Sequence, residues 1–265
     1  MTALRLTARR LAKVWGRRDL LPPFPDVRED EEPVGEIWFE HPDGGDLDLL
    51  VKYLFTSERL SIQVHPDDAA ARAAGEKSGK DEAWLILEAE PGATIGLGLR
   101  ERVSPEALRA AALDGSIEAL IDWRPVRAGE IIYSPAGTIH AIGPGLKIVE
   151  VQQNVDLTYR LYDYGRPREL HLEQAIAVAK PGPYVPPSGL AFTMECRAGP
   201  FSGCLQAPPG RALWLVPVGQ GGRVDGEALE AGGVWLVKDA VELILDQGAD
   251  LLIANVAGGG ETAFL

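Results

Sequence analysis

The chain has 265 residues, of which 46% are hydrophobic and 25% charged, so a buried core in one large or two small domains is expected and disorder is not. A formal net charge of −13 argues against nucleic-acid and membrane-surface partners, both of which are anionic. A small anionic substrate would need a local basic cluster, and Arg160, Arg166 and Arg168 supply one.

The first eighteen residues hold six Arg or Lys and no acid, a composition shared with transit peptides. The stretch runs on into Val14-Trp15-Gly16 and has no secretory apolar core, so a cytoplasmic protein is expected. No apolar run approaches the roughly 18 residues of a membrane span. Beyond this point short apolar runs are punctuated by 30 glycines and 20 prolines, which predicts many short strands in a sandwich or barrel. Candidate strands cover 48–54, 60–64, 83–88, 130–134, 147–152, 212–218, 234–237 and 251–256.

Helical signals are fewer. An alanine-rich segment over 67–75 follows Pro66. Ser104-Pro105-Glu106 reads as an N-cap, a first-turn proline and a first-turn acid, opening a helix to Leu113, with a second over 116–121. Residues 169–180 place Leu172, Ala175, Ile176 and Ala179 at helical spacing. Pro181-Gly182-Pro183 and Pro186-Pro187 then break the chain. Cys196 and Cys204 read as two buried thiols rather than a disulfide.

Of the four histidines, His41 and His171 read as surface or structural residues, whereas His65 and His140 sit in patterned surroundings. In Leu60-Ser61-Ile62-Gln63-Val64-His65-Pro66, strand alternation puts Ser61, Gln63 and His65 on one face and Ile62 and Val64 on the other. That polar face suits a ligand cavity; the alternative is an ordinary amphipathic strand facing solvent. In the segment from Gly129 to His140, glycine, five residues, Pro135, one residue, Gly137, two residues and histidine follow the spacing of the second cupin motif. There a turn re-aims the chain so that the histidine faces the barrel interior. Pro144 stands where many cupins have asparagine. Glu82, in Gly79-Lys80-Asp81-Glu82-Ala83-Trp84, precedes an apolar run and alone reads equally as a solvated acid. Gln63, His65, Glu82 and His140 together would offer O, N, O and N donors, a set that suits zinc.

These segments closely resemble type I mannose-6-phosphate isomerases, in order, over about 11–180. Trp15-Gly16, Gly35-Glu36-Ile37-Trp38, Leu60 to Pro66, Gly79 to Trp84, Pro135 to Gly143, Glu150 to Asp156, Thr158 to Asp163 and Arg168 to His171 carry the likeness. The resemblance implies a mainly β cupin double jelly roll with a few short helices. It implies one Zn2+ per chain, other divalent metals being compatible, on Gln63, His65, Glu82 and His140. It also implies interconversion of mannose-6-phosphate and fructose-6-phosphate through an enediol, within carbohydrate metabolism. Lys80, Glu150, Asp156 and Arg160 are the catalytic candidates, and Ser61, Lys80, Arg160 and Arg166 the substrate and phosphate candidates. Val155 replaces a frequent serine and Asp81 a frequent threonine, and the long helical insertion of larger members is absent; these departures bear on fine sugar specificity.

The expected organisation is a metal-binding jelly roll over 1–182 and a second, metal-free module over 183–265, with N-terminal strands able to pair with the second. In that module Asp239, Val241 and Ile244 stand where the cupin proline, glycine and histidine would be, and no histidine follows His171. The expected partner is a small sugar phosphate; the oligomeric state is left open. Rival readings are an isomerase of unphosphorylated sugars, a non-catalytic sugar- or metal-binding cupin, and a cupin dioxygenase. For the last, a glutamine occupies the place of a typical third histidine.

Overall fold

The structure, a computed structural model, describes residues 3–257. In its N-terminal part the order is β1 (Ala3–Arg5), β2 (Thr7–Arg17), β3 (Val34–Glu40), β4 (Leu49–Thr56), β5 (Ile62–Val64), α1 (Asp68–Ala73), β6 (Glu82–Ala89) and β7 (Thr94–Leu99). There follow α2 (Pro105–Asp114), α3 (Ile117–Leu120), β8 (Ile121–Pro125), β9 (Ile131–Ser134), β10 (His140–Ile142), β11 (Leu146–Gln153), β12 (Tyr159–Tyr162) and α4 (Leu172–Val178). The C-terminal part is β13 (Phe192–Ala198), β14 (Phe201–Gln206), β15 (Leu213–Pro217), β16 (Gly222–Val224), β17 (Glu227–Ala228), β18 (Trp235–Val237), β19 (Ala240–Leu245) and β20 (Asp250–Val256).

The strands form four antiparallel sheets stacked as two sandwiches, the mainly β double jelly roll expected from the motifs. In the first, the six-stranded sheet β2-β3-β4-β11-β6-β9 faces the five-stranded sheet β12-β5-β10-β7-β8. In the second, β1-β18-β15-β20-β13 faces β14-β19-β16-β17. Strand alternation explains the layering. On β15, Leu213 and Leu215 enter the second sandwich, while Trp214 and Val216 pack with Val51, Tyr53 and Phe55 of β4 between the two sandwiches. The six-stranded sheet is therefore covered on both faces, and all eight residues of β4 are buried.

β1 crosses into the second sandwich, where Ala3 pairs with Val237. We propose that the modules are 1–182 and 183–265, with β1 handed across; residues 1–2 and 258–265 lie outside those described. Cys196 and Cys204 are free, but contrary to expectation they are exposed, because β13 and β14 are edge strands of their sheets. The fourth helix begins at Leu172 instead of residue 169: the segment before it runs extended along β12, with the His171 N–H donating to the Arg160 carbonyl at 2.8 Å. The second helix starts as read, with Ser104 Oγ accepting from the Ala107 N–H at 3.2 Å. Among the described residues no helix is long and apolar enough to cross a membrane.

Candidate metal centre and substrate cleft

Sheet register assembles the site. On the five-stranded sheet Arg160, Gln63 and His140 form one cross-strand row: Gln63 lies opposite His140 on one side and Arg160 on the other. His65 follows β5 by one residue. Glu82 opens β6 on the facing sheet. Gly79, just before it, passes so close to α1 that a Cβ would lie 2.5 Å from the Asp67 and Asp68 backbone, which fixes glycine there.

The donor atoms converge. His65 Nε2 lies 3.2 Å from Glu82 Oε1, and His140 Nε2 lies 3.3 Å from Glu82 Oε2. Both imidazoles are anchored through Nδ1–H, His65 to the Leu157 carbonyl at 2.8 Å and His140 to the Thr138 carbonyl at 2.9 Å. That fixes the tautomer and leaves each Nε2 lone pair for a ligand. The Gln63 amide nitrogen is 3.2 Å from His140 Nε2. Ser61 Oγ donates to Gln63 Oε1 at 3.1 Å; with the amide turned over, Oε1 faces the centre and Nε2 takes that place to donate to Ser61 Oγ.

His65, Glu82 and His140 are all buried, and Glu82 Oε2 has no hydrogen-bond donor among the described residues. A buried carboxylate with one unpartnered oxygen, facing two imidazole lone pairs, calls for a cation. Donor separations of 3.2–3.3 Å suit atoms sharing an ion at about 2.0–2.2 Å. Among the described residues this is the one such cluster, and none occurs in the second module. Burial alone would raise the Glu82 carboxyl; the Lys80 ammonium, 2.8 Å away, is the chief opposing influence, and Glu82 is held well below the usual carboxylate range. Burial, reinforced by Lys80, pushes His65 down to about 4, so its ring is neutral at pH 7.

A cavity of about 170 Å³ opens over Glu82 between the sheets. Trp38, Lys52 and Glu150 of the six-stranded sheet line it, in one cross-strand row that continues to the buried Trp84. Lys52 Nζ lies 3.1 Å from Glu150 Oε1 and 4.7 Å from the Trp38 ring centre, while Trp84 Nε1–H donates to Glu150 Oε2 at 2.9 Å. Burial pulls the Lys52 ammonium down, but Glu150 and neighbouring acids outweigh it and raise it.

Of the remaining sequence candidates, Ser61, Lys80, Asp156 and Arg160 line the cleft. Arg160 Nη1–H donates to the Glu169 carbonyl at 3.3 Å, and burial and then the charge of Arg168 lower its pKa. Arg166 is not brought there. Its guanidinium donates to the Arg59 carbonyl at 2.6 Å and meets Asp163 at 3.0 Å, whereas Arg168 lines the cleft, gripped by both Asp163 oxygens at 2.6 Å. His41 and His171 are structural: each Nδ1 accepts a backbone N–H, from Asp43 and Arg160. Sequence reasoning missed Lys52, Trp38 and Lys13, which also line the cleft. Lys52 did carry a signal, as a lone lysine inside the apolar run from Leu49 to Phe55.

Fold and site thus define a double-jelly-roll protein with a buried two-histidine, one-glutamate donor set beneath a charged cleft. The chain is 41% identical over 158 residues to mannose-6-phosphate isomerase of Streptococcus mutans, a match covering 55% of this chain and 50% of the relative. It is 37% identical over the same length to mannose-6-phosphate isomerase ManA of Bacillus subtilis. The match thus spans about half the length of these curated relatives. In fold it is similar to a mannose 6-phosphate isomerase from Bacillus subtilis, with TM-score 0.74, 25% identity, and coverage of 96% of this chain and 99% of that one. A putative mannosephosphate isomerase from Archaeoglobus fulgidus, TM-score 0.71 at 18% identity over 96% of this chain and 98% of that one, shares the fold. No protein-family model matches the chain. The resemblance to mannose-6-phosphate isomerases thus holds in sequence over 158 residues and in fold across nearly the whole chain.

Proposed function

We propose that this chain is a zinc-dependent aldose–ketose isomerase that interconverts mannose-6-phosphate and fructose-6-phosphate through an enediol, acting in the cytoplasm. The observation that carries the reading is the buried Glu82 carboxylate, its Oε2 without a donor, facing two oriented imidazole nitrogens at the floor of a charged cleft. Gln63, His65, Glu82 and His140 would hold one ion, and the neutral amide would leave its Lewis acidity high. Once bound, that ion supplies polarisation of the oxygens at C1 and C2 of an opened sugar.

The chain's own groups bind and move protons. Arg160, with Lys80 and Ser61 nearer the centre, gives the substrate's anionic end charge-assisted partners in an otherwise acidic protein. A base must carry a proton between C1 and C2, and Lys80, Glu150 and Asp156 are the candidates. They differ in what surrounds them. Glu150 has both oxygens engaged by Lys52 and Trp84, Lys80 is ion-paired to Glu82, and Asp156 stands exposed at the cleft wall.

The test is a coupled assay of fructose-6-phosphate formation from mannose-6-phosphate, with and without a chelator. Conversion that a chelator abolishes and added Zn2+ restores supports the proposal. Turnover of free mannose as efficient as that of the phosphate would select the unphosphorylated-sugar isomerase. Binding of metal and sugar with no turnover of either sugar would select the non-catalytic cupin.

A further inference from the structure

The three imidazole and carboxylate donors come from three separate segments, and one turn touches all of them. The turn is Pro135-Ala136-Gly137-Thr138, between β9 and β10. The Gly137 N–H donates to the His65 carbonyl at 2.8 Å. The Thr138 carbonyl accepts His140 Nδ1–H at 2.9 Å. The Ala136 N–H donates to Asp81 Oδ1 at 2.8 Å, and Asp81 is the residue before Glu82. The turn itself is tight: Gly137 has φ +86°, and a Cβ there would come within 2.9 Å of the Lys180 side chain.

Asp81 is held on every side. Its second oxygen accepts from Tyr133 Oη–H at 2.6 Å, and that hydroxyl in turn accepts the Ala191 N–H at 3.1 Å. Its own N–H donates to Gln153 Oε1 at 2.9 Å, and its carbonyl accepts the Gln153 N–H at 3.1 Å. Alternation on β6 sends the Asp81 side chain away from the Glu82 side, so it does not compete as a donor to the metal. A side chain with one oxygen cannot bridge both Ala136 and Tyr133 in this way.

We propose that Asp81 is a positioning residue for the metal centre: its carboxylate locks the strand carrying Glu82 to the turn that supports His65 and His140. The inference rests on the metal-binding reading above. Groups that orient ligands from outside the coordination shell typically contribute about ten- to a hundredfold in metal affinity. The Tyr133 hydrogen bond, by contrast, ties the linker after Pro183 to the first sandwich and serves stability.

The experiment measures Zn2+ affinity of the full chain by competition with a chromogenic chelator, alongside the melting temperature of the metal-free protein, for wild type, Asp81→Ala, Asp81→Asn and Tyr133→Phe. Asp81→Ala should bind Zn2+ about ten- to a hundredfold more weakly. Asp81→Asn keeps an oxygen for the Ala136 N–H and should recover most of that loss. Tyr133→Phe should lower the melting temperature and leave Zn2+ affinity within about twofold of wild type, because it spares the Ala136 clamp. Should Asp81→Ala not fold, Asp81→Leu, which fills similar space and offers no acceptor to the Ala136 N–H, supplies the comparison, and weaker binding than in Asp81→Asn is the expected result. Wild-type affinity in Asp81→Ala, or in Asp81→Leu where that replaces it, overturns the inference, as does an equal loss in Tyr133→Phe. A wild-type chain that binds no Zn2+ would overturn the metal reading itself, a result distinguishable from either.

Discussion

His140 on β10 stands directly opposite Gln63 on β5, its Nε2 3.2 Å from the Gln63 amide nitrogen. Because Gln63 pairs with Arg160 on its other side, the register that completes the donor set also places the arginine of the cleft. Slipping β5 by one residue would turn Gln63 and His65 away together and put Ile62 and Val64 in their place. Two of the candidate metal donors, Gln63 and His140, and the candidate anion-binding Arg160 are thus set by the same hydrogen-bond ladder.

Removing one donor should release the ion. In wild type about one Zn2+ per chain is expected, a four-donor site being a single-ion site. His140→Ala takes away an imidazole lone pair and leaves Glu82 Oε2 unpartnered on that side too. Its affinity should fall by more than the roughly ten- to hundredfold of an outer group. Elemental analysis after gel filtration reads this directly; wild-type metal content in His140→Ala would reject the assignment.

Local patterns explain why some of the site could be read and some could not. Gln63 and His65 are two apart on a strand, Glu82 begins one, and the Gly129 to His140 spacing encodes a turn followed by an inward histidine; each lies within a few residues of sequence. Lys52, Trp38 and Glu150 meet only because β3, β4 and β11 pair in a particular register, which no local periodicity reveals. β2 was hidden for another reason. Thr7–Arg17 is an edge strand whose outer residues are mostly charged and exposed, so it lacks the apolar alternation by which strands are recognised. Arg166 misled because sequence adjacency does not determine direction: Asp163 holds Arg166 towards Arg59 and Arg168 towards the cleft.

The Lys52–Glu150 pair should behave as a buried ion pair. Their side chains are 7% and 6% exposed, and Glu150 has no other cation at contact distance among the described ion pairs. Lys52→Met leaves Glu150 buried beside Trp84 alone and should cost about 3–5 kcal/mol in unfolding free energy. Adding Glu150→Gln removes the stranded charge and should recover a large part of that loss. Urea unfolding of the two single variants and the double variant measures the coupling; additive effects would show that the pair is not a unit.

Acid stability should report Asp68. Burial would raise its carboxyl, but the Gly79 N–H at 2.8 Å, the Gln153 amide at 3.2 Å and Arg72 outweigh it and lower the pKa from its ordinary value. A depressed folded pKa contributes stability that is present above the unfolded value, near 3.9, and lost as the pH falls through the folded one. In metal-free protein the melting-temperature gap between wild type and Asp68→Asn should hold steady above about pH 5 and close below about pH 4. A gap unchanged at about pH 3 would show that the contribution is not ionic.

The cleft should distinguish sugar phosphates from free sugars through Arg160 and Arg168. The two guanidinium groups are close enough that the charge of Arg168 adds to burial in lowering the pKa of Arg160. Asp163 already pairs Arg168 through both its oxygens, whereas Arg160 has no carboxylate partner among the described ion pairs and donates to the Glu169 carbonyl, so Arg160 is the guanidinium left for an anion. Inorganic phosphate should therefore raise the melting temperature of wild type and do so much less in Arg160→Ala. Removing one charge-assisted hydrogen bond to phosphate should cost about 1.5–3 kcal/mol, or roughly ten- to a hundredfold in kcat/KM. Arg160→Ala should show that loss with mannose-6-phosphate and far less of it with mannose; Arg168→Ala, whose guanidinium Asp163 already pairs, should show a smaller loss. Arg166→Ala should behave differently. Its guanidinium is spent on Asp163 and the Arg59 carbonyl, so its removal should lower the melting temperature and affect both sugars alike. Steady-state kinetics on the two sugars with all three variants separates these outcomes. Equal losses on both sugars in Arg160→Ala would move Arg160 from anion binding to catalysis, and a phosphate-selective loss in Arg166→Ala would return Arg166 to the cleft.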